Sequence, residues 1–100
     1  MTLSTRIEQA GEGSFVLDCE IGRAVGSELN PPRGYTVSLG DAWSLIPPDC
    51  FWHVGTNGDG GFTAFCQTGG EEDEARPLEW INAATASLAL TAAALRARGL

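Results

Sequence analysis

The only histidine of the chain, His53, lies close in sequence to a cysteine, which raises the question of a catalytic Cys–His pair. Cys50 and Cys66 are the two thiols that could be drawn into such a pair. A nucleophilic cysteine needs a neighbouring base and a third group that orients the base. No orienting group is evident, and side chains at positions 50 and 53 point to opposite faces of a regular strand. We therefore predict no catalytic residue and no enzyme, and expect His53 on a strand surface or at the edge of the core.

Metal and phosphate sites are also poorly supported by the residue types and their spacing. Zinc needs four nitrogen or sulfur ligands at suitable spacing, but Cys19 lies in a predicted helix far along the chain from the other thiols. Asp59 lies in the segment NGDGG, which lacks the Asp-x-Asp-x-Asp-Gly series of a calcium loop. The same glycines are followed by no Lys-Ser/Thr pair, so they form no phosphate loop. We expect no metal ligand and no cofactor.

The charge of the chain argues against direct binding to nucleic acids or anionic membranes. Thirteen acidic residues and six basic ones give a formal net charge of −7, and the six arginines are spread along the chain. Binding to a phosphate backbone needs clustered positive charge. The one charge cluster is acidic, Glu71, Glu72, Asp73 and Glu74. Such a run is usually a solvated loop, and the alternative is a contact with a cation or a basic partner.

The number of cysteines and the hydropathy of the chain indicate in which cellular compartment the protein is expected. The odd number of cysteines, three, at wide spacing is untypical of a disulfide framework and favours reduced thiols. The N-terminal residues lack the apolar region of a signal peptide. Residues Ala83 to Leu95 are apolar but too few to span a bilayer. We expect a cytoplasmic or virion-associated protein with no membrane segment.

Local signals predict one α+β domain over residues 1–100, in which helices come before and after a three-stranded antiparallel meander. Asn57-Gly58-Asp59-Gly60-Gly61 is the strongest turn signal, because Asn-Gly and Asp-Gly tolerate positive φ. Capping residues precede the later helical segments. The predicted helices are Thr2–Gln9, Phe15–Val25 after Ser14, a helix after Ser38 that ends at Pro47–Pro48, and Ala86–Arg98 after Thr85; the predicted strands are Cys50–Thr56, Phe62–Thr68 and Pro77–Ala83.

Apolar side chains occur on both faces of the predicted strands, unlike those of a sheet with one wet face. Helices on both faces would explain this pattern, as would a partner on one face. We expect Trp43 and Trp52 in the core. Trp80 is a candidate contact residue, because a third strand can lie at the sheet edge and tryptophan is enriched in interfaces.

Two segments resemble a known family: PPRGYTVSLGDAWSLIPPDCFWHV (residues 31–54) and ATASLALTAAALRARGL (residues 84–100). Together with the Gly-rich hairpin between them, they are similar to the phage ABA-sandwich domain, a family of small phage and prophage proteins. The resemblance implies an α/β/α sandwich, a phage-related origin and no assigned activity.

Two functional hypotheses follow. The first is a phage-related accessory or structural protein that acts through contacts with a protein partner, either as a monomer or as a homodimer. The candidate contact residues are Trp80, Glu71, Glu72, Asp73 and Glu74. The alternative is an acidic DNA mimic that inhibits a host nucleic-acid-binding enzyme, since helix–three strands–helix is also the element order of double-stranded RNA binders.

Overall fold

The computed structural model describes residues 2–29, 31–48, 50–68 and 80–100. Within these ranges, the predicted α+β class with helices before and after a three-stranded antiparallel meander is confirmed. The helices are α1 (Leu3–Gln9), α2 (Phe15–Ala24), α3 (Leu39–Trp43) and α4 (Ala86–Ala97), and the strands are β1 (Cys50–Thr56), β2 (Phe62–Thr68) and β3 (Ile81–Ala83).

The sheet has the order β1-β2-β3, so β1 and β3 are its edge strands. β1 and β2 pair without a bulge from Cys50 opposite Thr68 to Thr56 opposite Phe62. The turn between β1 and β2 has the predicted feature, glycines with positive φ. The Asn57 side-chain Oδ1 accepts from the Asp59 backbone N–H at 2.8 Å, and Gly58 and Gly60 both have φ of 88°. The predicted bounds of the first two strands are confirmed.

α4 packs on one side of the sheet, against the face that carries Val54, Ala64 and Ile81. All nine residues from Ser87 to Leu95 are buried, as expected for a helix surrounded by other elements. α4 contacts all three strands, and α1 and α3 pack against α4. Ala42 of α3 is fully buried. The main core cluster is formed by side chains of α1, α2, α4, β2, β3 and two loops: Ile7, Ile21, Tyr35, Leu45, Ala64, Ile81, Ala83, Leu88, Ala89, Ala92, Ala93, Ala94 and Leu95.

A buried polar network ties the turn at residues 35–37 to two helices. The Asp18 carboxylate, only 4% exposed, accepts from both the backbone N–H and the hydroxyl of Thr36 at 2.8 Å. The Thr36 hydroxyl also accepts from the Ser14 N–H at the start of α2. On the other side, the Thr91 hydroxyl of α4 donates to the Tyr35 carbonyl at 2.9 Å. The turn that leads into α3 is therefore held by side chains of α2 and α4.

The predicted caps are confirmed, since Ser14, Ser38 and Thr85 each accept a backbone N–H of the first helical turn. The prediction that Trp43 lies in the core is wrong. α3 is only five residues long and a turn follows it, so its helical spacing does not continue. Leu45 is 2% exposed in the core, while Trp43 is 58% exposed.

The prediction that Trp52 is a core residue is also wrong, because its side chain is 43% exposed. β1 is an edge strand, and the helices cover its side of the sheet only in part. The described part of the third strand is Ile81–Ala83, and the predicted residues 77–79 lie outside the described residues.

Candidate functional site

A row of aromatic rings crosses the sheet on the side away from α4. His53 of β1 is opposite Phe65 of β2, and their rings are stacked with centroids 6.0 Å apart. Trp80, just before β3, meets Phe65 edge-on at 4.9 Å. Phe51 lies two residues from His53 on the same side of β1. We call the surface formed by Phe51, His53, Phe65 and Trp80 the open face.

The open face exposes a large aromatic area to water. Phe51 is 70% exposed and Trp80 is 48% exposed. Aromatic side chains cover about 150–250 Å² each, so these two leave roughly 200–300 Å² of aromatic surface in solvent. The largest apolar patch on a typical monomer covers a few hundred Å² and is often functional. The neighbouring positions on the other side of the strands, Val54, Ala64 and Ile81, pack into the core.

A second aromatic feature lies at the outer edge of β1, on the helix side of the sheet. Trp43 and Trp52 line a shallow cleft of about 420 Å³ together with Pro47 and Pro48. Both tryptophans are substantially exposed there. The cleft contains no charged side chain among its lining residues, so an apolar surface is its natural complement.

The thiols of Cys50 and Cys66 lie on the helix side of the sheet, where they are diagonal neighbours. Burial raises the pKa of Cys66 to about 12, and the charge and hydrogen bond of Cys50 add to that rise. Cys66 therefore stays protonated near neutral pH, which disfavours both nucleophilic attack and metal ligation. His53 lies on the opposite side of β1 from Cys50, so the strand does not join them as a pair.

Several acidic residues of the described segments have structural partners. Asp18 holds the Thr36 turn, and Glu20 of α2 accepts two hydrogen bonds from the Arg6 guanidinium of α1. Glu8 pairs with Arg96 at 3.0 Å. Within the described ranges, no group of three or more His, Cys, Asp or Glu residues is arranged to hold a metal ion, and none of the helices could cross a membrane.

Of the predicted contact residues, Trp80 is exposed on the open face, whereas Glu71, Glu72, Asp73 and Glu74 lie outside the described residues. Phe51 was not among the predicted contact residues. The signal was present, because the Asn57–Gly61 turn fixes a register in which His53 meets Phe65 and Phe51 lies on the same side.

Comparison with protein-family models, curated proteins and solved structures gave no match. The similarity to the phage ABA-sandwich domain therefore stays a prediction.

Proposed function

We propose that this chain is a non-enzymatic accessory or structural protein that acts by binding a protein partner through the open face. The observation that supports this function best is the aromatic row, in which Trp80 and Phe51 remain exposed although the other side of the same strands is packed. A phage or prophage origin, and a cytoplasmic or virion-associated location, belong to the proposal and rest on the sequence alone.

The shape of the open face favours a protein over a small molecule. Small ligands usually bind in concave pockets that bury most of their surface. The open face is one side of a three-stranded sheet, with rings that lie across it. Tryptophan and other aromatic residues dominate the energetics of protein interfaces, where they are covered and desolvated. A partner that covers Phe51 and Trp80 would remove their area from water at about 25 cal/mol per Å².

The test is a capture experiment from host lysate with matched variants. Phe51→Ala and Trp80→Ala each remove one exposed ring of the open face. Phe15→Ala is the control, because Phe15 is 64% exposed, nearly as much as Phe51, but lies on α2. We expect one captured protein to bind the wild type and Phe15→Ala equally, and to bind the two open-face variants at least about tenfold more weakly, the loss typical of an interface hot spot.

The alternative, an acidic DNA mimic, gives the opposite result. A variant in which Glu71, Glu72, Asp73 and Glu74 become Gln or Asn would then lose the partner, and added salt would release the partner from the wild type. Loss of binding in that variant with normal binding of Phe51→Ala and Trp80→Ala contradicts the proposal. Unfolding curves of all variants show whether a loss of binding reflects a loss of folding.

A further inference from the structure

We infer that β1 pairs antiparallel with β1 of a second copy of this chain, so that two three-stranded sheets join into one sheet of six strands. The surface involved is the outer edge of β1, where Phe51 and His53 belong to the open face as well. The pairing is inferred from the strand edge and its register, and it does not rest on the proposed function.

The hydrogen-bond pattern of the hairpin shows which backbone groups of β1 point outward. The Asn57 N–H donates to the Gly61 carbonyl at 3.2 Å, so this pair is hydrogen-bonded. Hydrogen-bonded and non-hydrogen-bonded pairs alternate along an antiparallel ladder. The backbone N–H and C=O groups of Phe51, His53 and Gly55 consequently form hydrogen bonds with β2. The residues between them point their N–H and C=O groups away from the sheet: Cys50, Trp52, Val54 and Thr56.

Within the described residues, this edge shows none of the features of sequence and pairing that usually prevent strand association. Natural edge strands are protected by charged residues, proline, bulges or short length. β1 is seven residues long, has the sequence CFWHVGT without Asp, Glu, Lys or Arg, and pairs with β2 without a bulge. Among the described residues, no group hydrogen-bonds to its outward backbone. Although the net charge of −7 opposes self-association, none of the acidic residues lies on the strand itself.

The edge is complementary to itself when two copies meet around His53. In that register Trp52 is opposite Val54 of the partner subunit, and Cys50 is opposite Thr56 of the partner subunit. All outward N–H and C=O groups then pair, giving about eight hydrogen bonds between the copies. On the other side of the sheet, Phe51 lies opposite Gly55 of the partner subunit, where the absence of a side chain leaves room for the ring.

Side chains that flank the edge supply apolar area for this contact. Trp43, Trp52 and Phe51 are 58%, 43% and 70% exposed. With about 150–250 Å² per aromatic side chain, they leave roughly 300–400 Å² in water per copy. A stable dimer buries about 800 Å² per partner, so these rings provide nearly half, and the strand backbone with Pro47 and Pro48 adds to it. We expect a dissociation constant in the micromolar range, about 1–100 µM.

A twofold axis through His53, perpendicular to the sheet, places both sets of helices on one side and both open faces on the other. The dimer would therefore present two aromatic rows on one continuous surface. A foreign extended peptide could use the same edge, but the self-complementary register of β1 favours a second copy.

The test compares two lysine variants by sedimentation at about 1 µM to about 1 mM protein, a range that brackets micromolar affinity. His53→Lys places two like charges opposite each other at the axis, which is destabilising. Asn82→Lys is the control, because it adds the same charge to the same side of the sheet but on β3. We expect the wild type and Asn82→Lys to reach twice the chain mass of 10.5 kDa, and His53→Lys to dimerise at least about tenfold more weakly.

Amide hydrogen exchange identifies the contact. In the wild-type dimer the outward amides of Trp52, Val54 and Thr56 should be protected from exchange. In His53→Lys these three amides should exchange, and only the β1 amides that face β2 should be protected. Protection of Phe51 and Gly55 in both proteins shows that the hairpin is intact. A wild type that stays monomeric at about 1 mM, equal dimerisation of the two lysine variants, or a dimer with unprotected outward amides overturns the inference. Comparison of Trp80→Ala with Phe15→Ala tests the proposed function separately, because Trp80 lies beside β3, at the opposite edge of the sheet from β1.

Discussion

The Asp18 carboxylate is the best place to measure how the fold holds the segment between α2 and α3. Its Oδ1 atom accepts two hydrogen bonds of 2.8 Å from Thr36, and both residues are buried. A hydrogen bond to a charged group contributes about 1.5–3 kcal/mol. Removing the carboxylate also relieves the cost of burying its charge. We therefore expect Asp18→Ala to lower the free energy of unfolding by about 2–4 kcal/mol.

Asp18→Asn separates the geometry of this contact from its charge. Both hydrogen bonds end on one oxygen, which an asparagine in the same position also supplies. Hydrogen bonds to a neutral acceptor are about half as strong as those to an ion. The asparagine variant should therefore lose about 1–2 kcal/mol, clearly less than the alanine variant.

Urea unfolding followed by far-ultraviolet circular dichroism gives these free energies. Thr36→Val and the double variant with Asp18→Ala complete a double-mutant cycle, whose coupling should be about 1–2 kcal/mol for contacting groups. A loss below about 1 kcal/mol for Asp18→Ala, or equal losses for alanine and asparagine, would refute the reasoning.

Three further expectations concern packing and titration. Leu45→Ala should lower the free energy of unfolding by about 2–5 kcal/mol, because Leu45 is buried in the core. Trp43→Ala should lower the free energy of unfolding of the monomer by less than about 1 kcal/mol, because Trp43 is exposed. Similar losses for the two variants would contradict the observed burial. Folding raises the pKa of the Cys66 thiol from 9.0 to about 12, so the folded state holds this proton more tightly than the unfolded chain. The free energy of unfolding should therefore fall as the pH rises from 9.0 to about 12. Cys66→Ala should reduce that fall in unfolding curves measured at several pH values. The hydrogen bonds from Arg6 lower the pKa of Glu20 below its ordinary 4.5, so their stabilisation is present above that pH and is lost as the pH falls below it. Glu20→Gln should reduce the acid sensitivity of unfolding, and an unchanged acid limb would show that the pair contributes nothing measurable.

Those parts of the fold that depend on local chemistry could be predicted from the sequence. Ser14, Ser38 and Thr85 begin helices because a side-chain oxygen can accept a free N–H of the first turn. The Asn57–Gly61 segment forms the hairpin because its residues tolerate positive φ. These signals act within a few residues, so no knowledge of distant contacts is needed to interpret them.

The burial of the tryptophans could not be predicted in the same way. Trp43 and Ile46 have helical spacing, but α3 ends at Trp43 and the chain turns, so Leu45 enters the core instead. For Trp52 the sequence does not tell how far the helical layer extends over an edge strand. Both cases depend on packing between elements distant along the chain. From the sequence, the apolar residues on both faces of the strands predicted either helices on both faces or a partner on one face, without a decision between the two.

The composition of α4 explains why the helices leave the aromatic side of the sheet uncovered within the described chain. Alanine at positions 89, 92, 93 and 94 makes this helix narrow, so that β2, α1 and α3 can all approach it closely. α1 and α3 consequently pack beside α4 rather than across the sheet. The strands still carry Phe51 and Phe65 on the far side, although Thr63 shows that a polar residue fits there. Polar residues at such positions favour solubility, so the aromatic rings on this side are consistent with the proposal that a partner covers them.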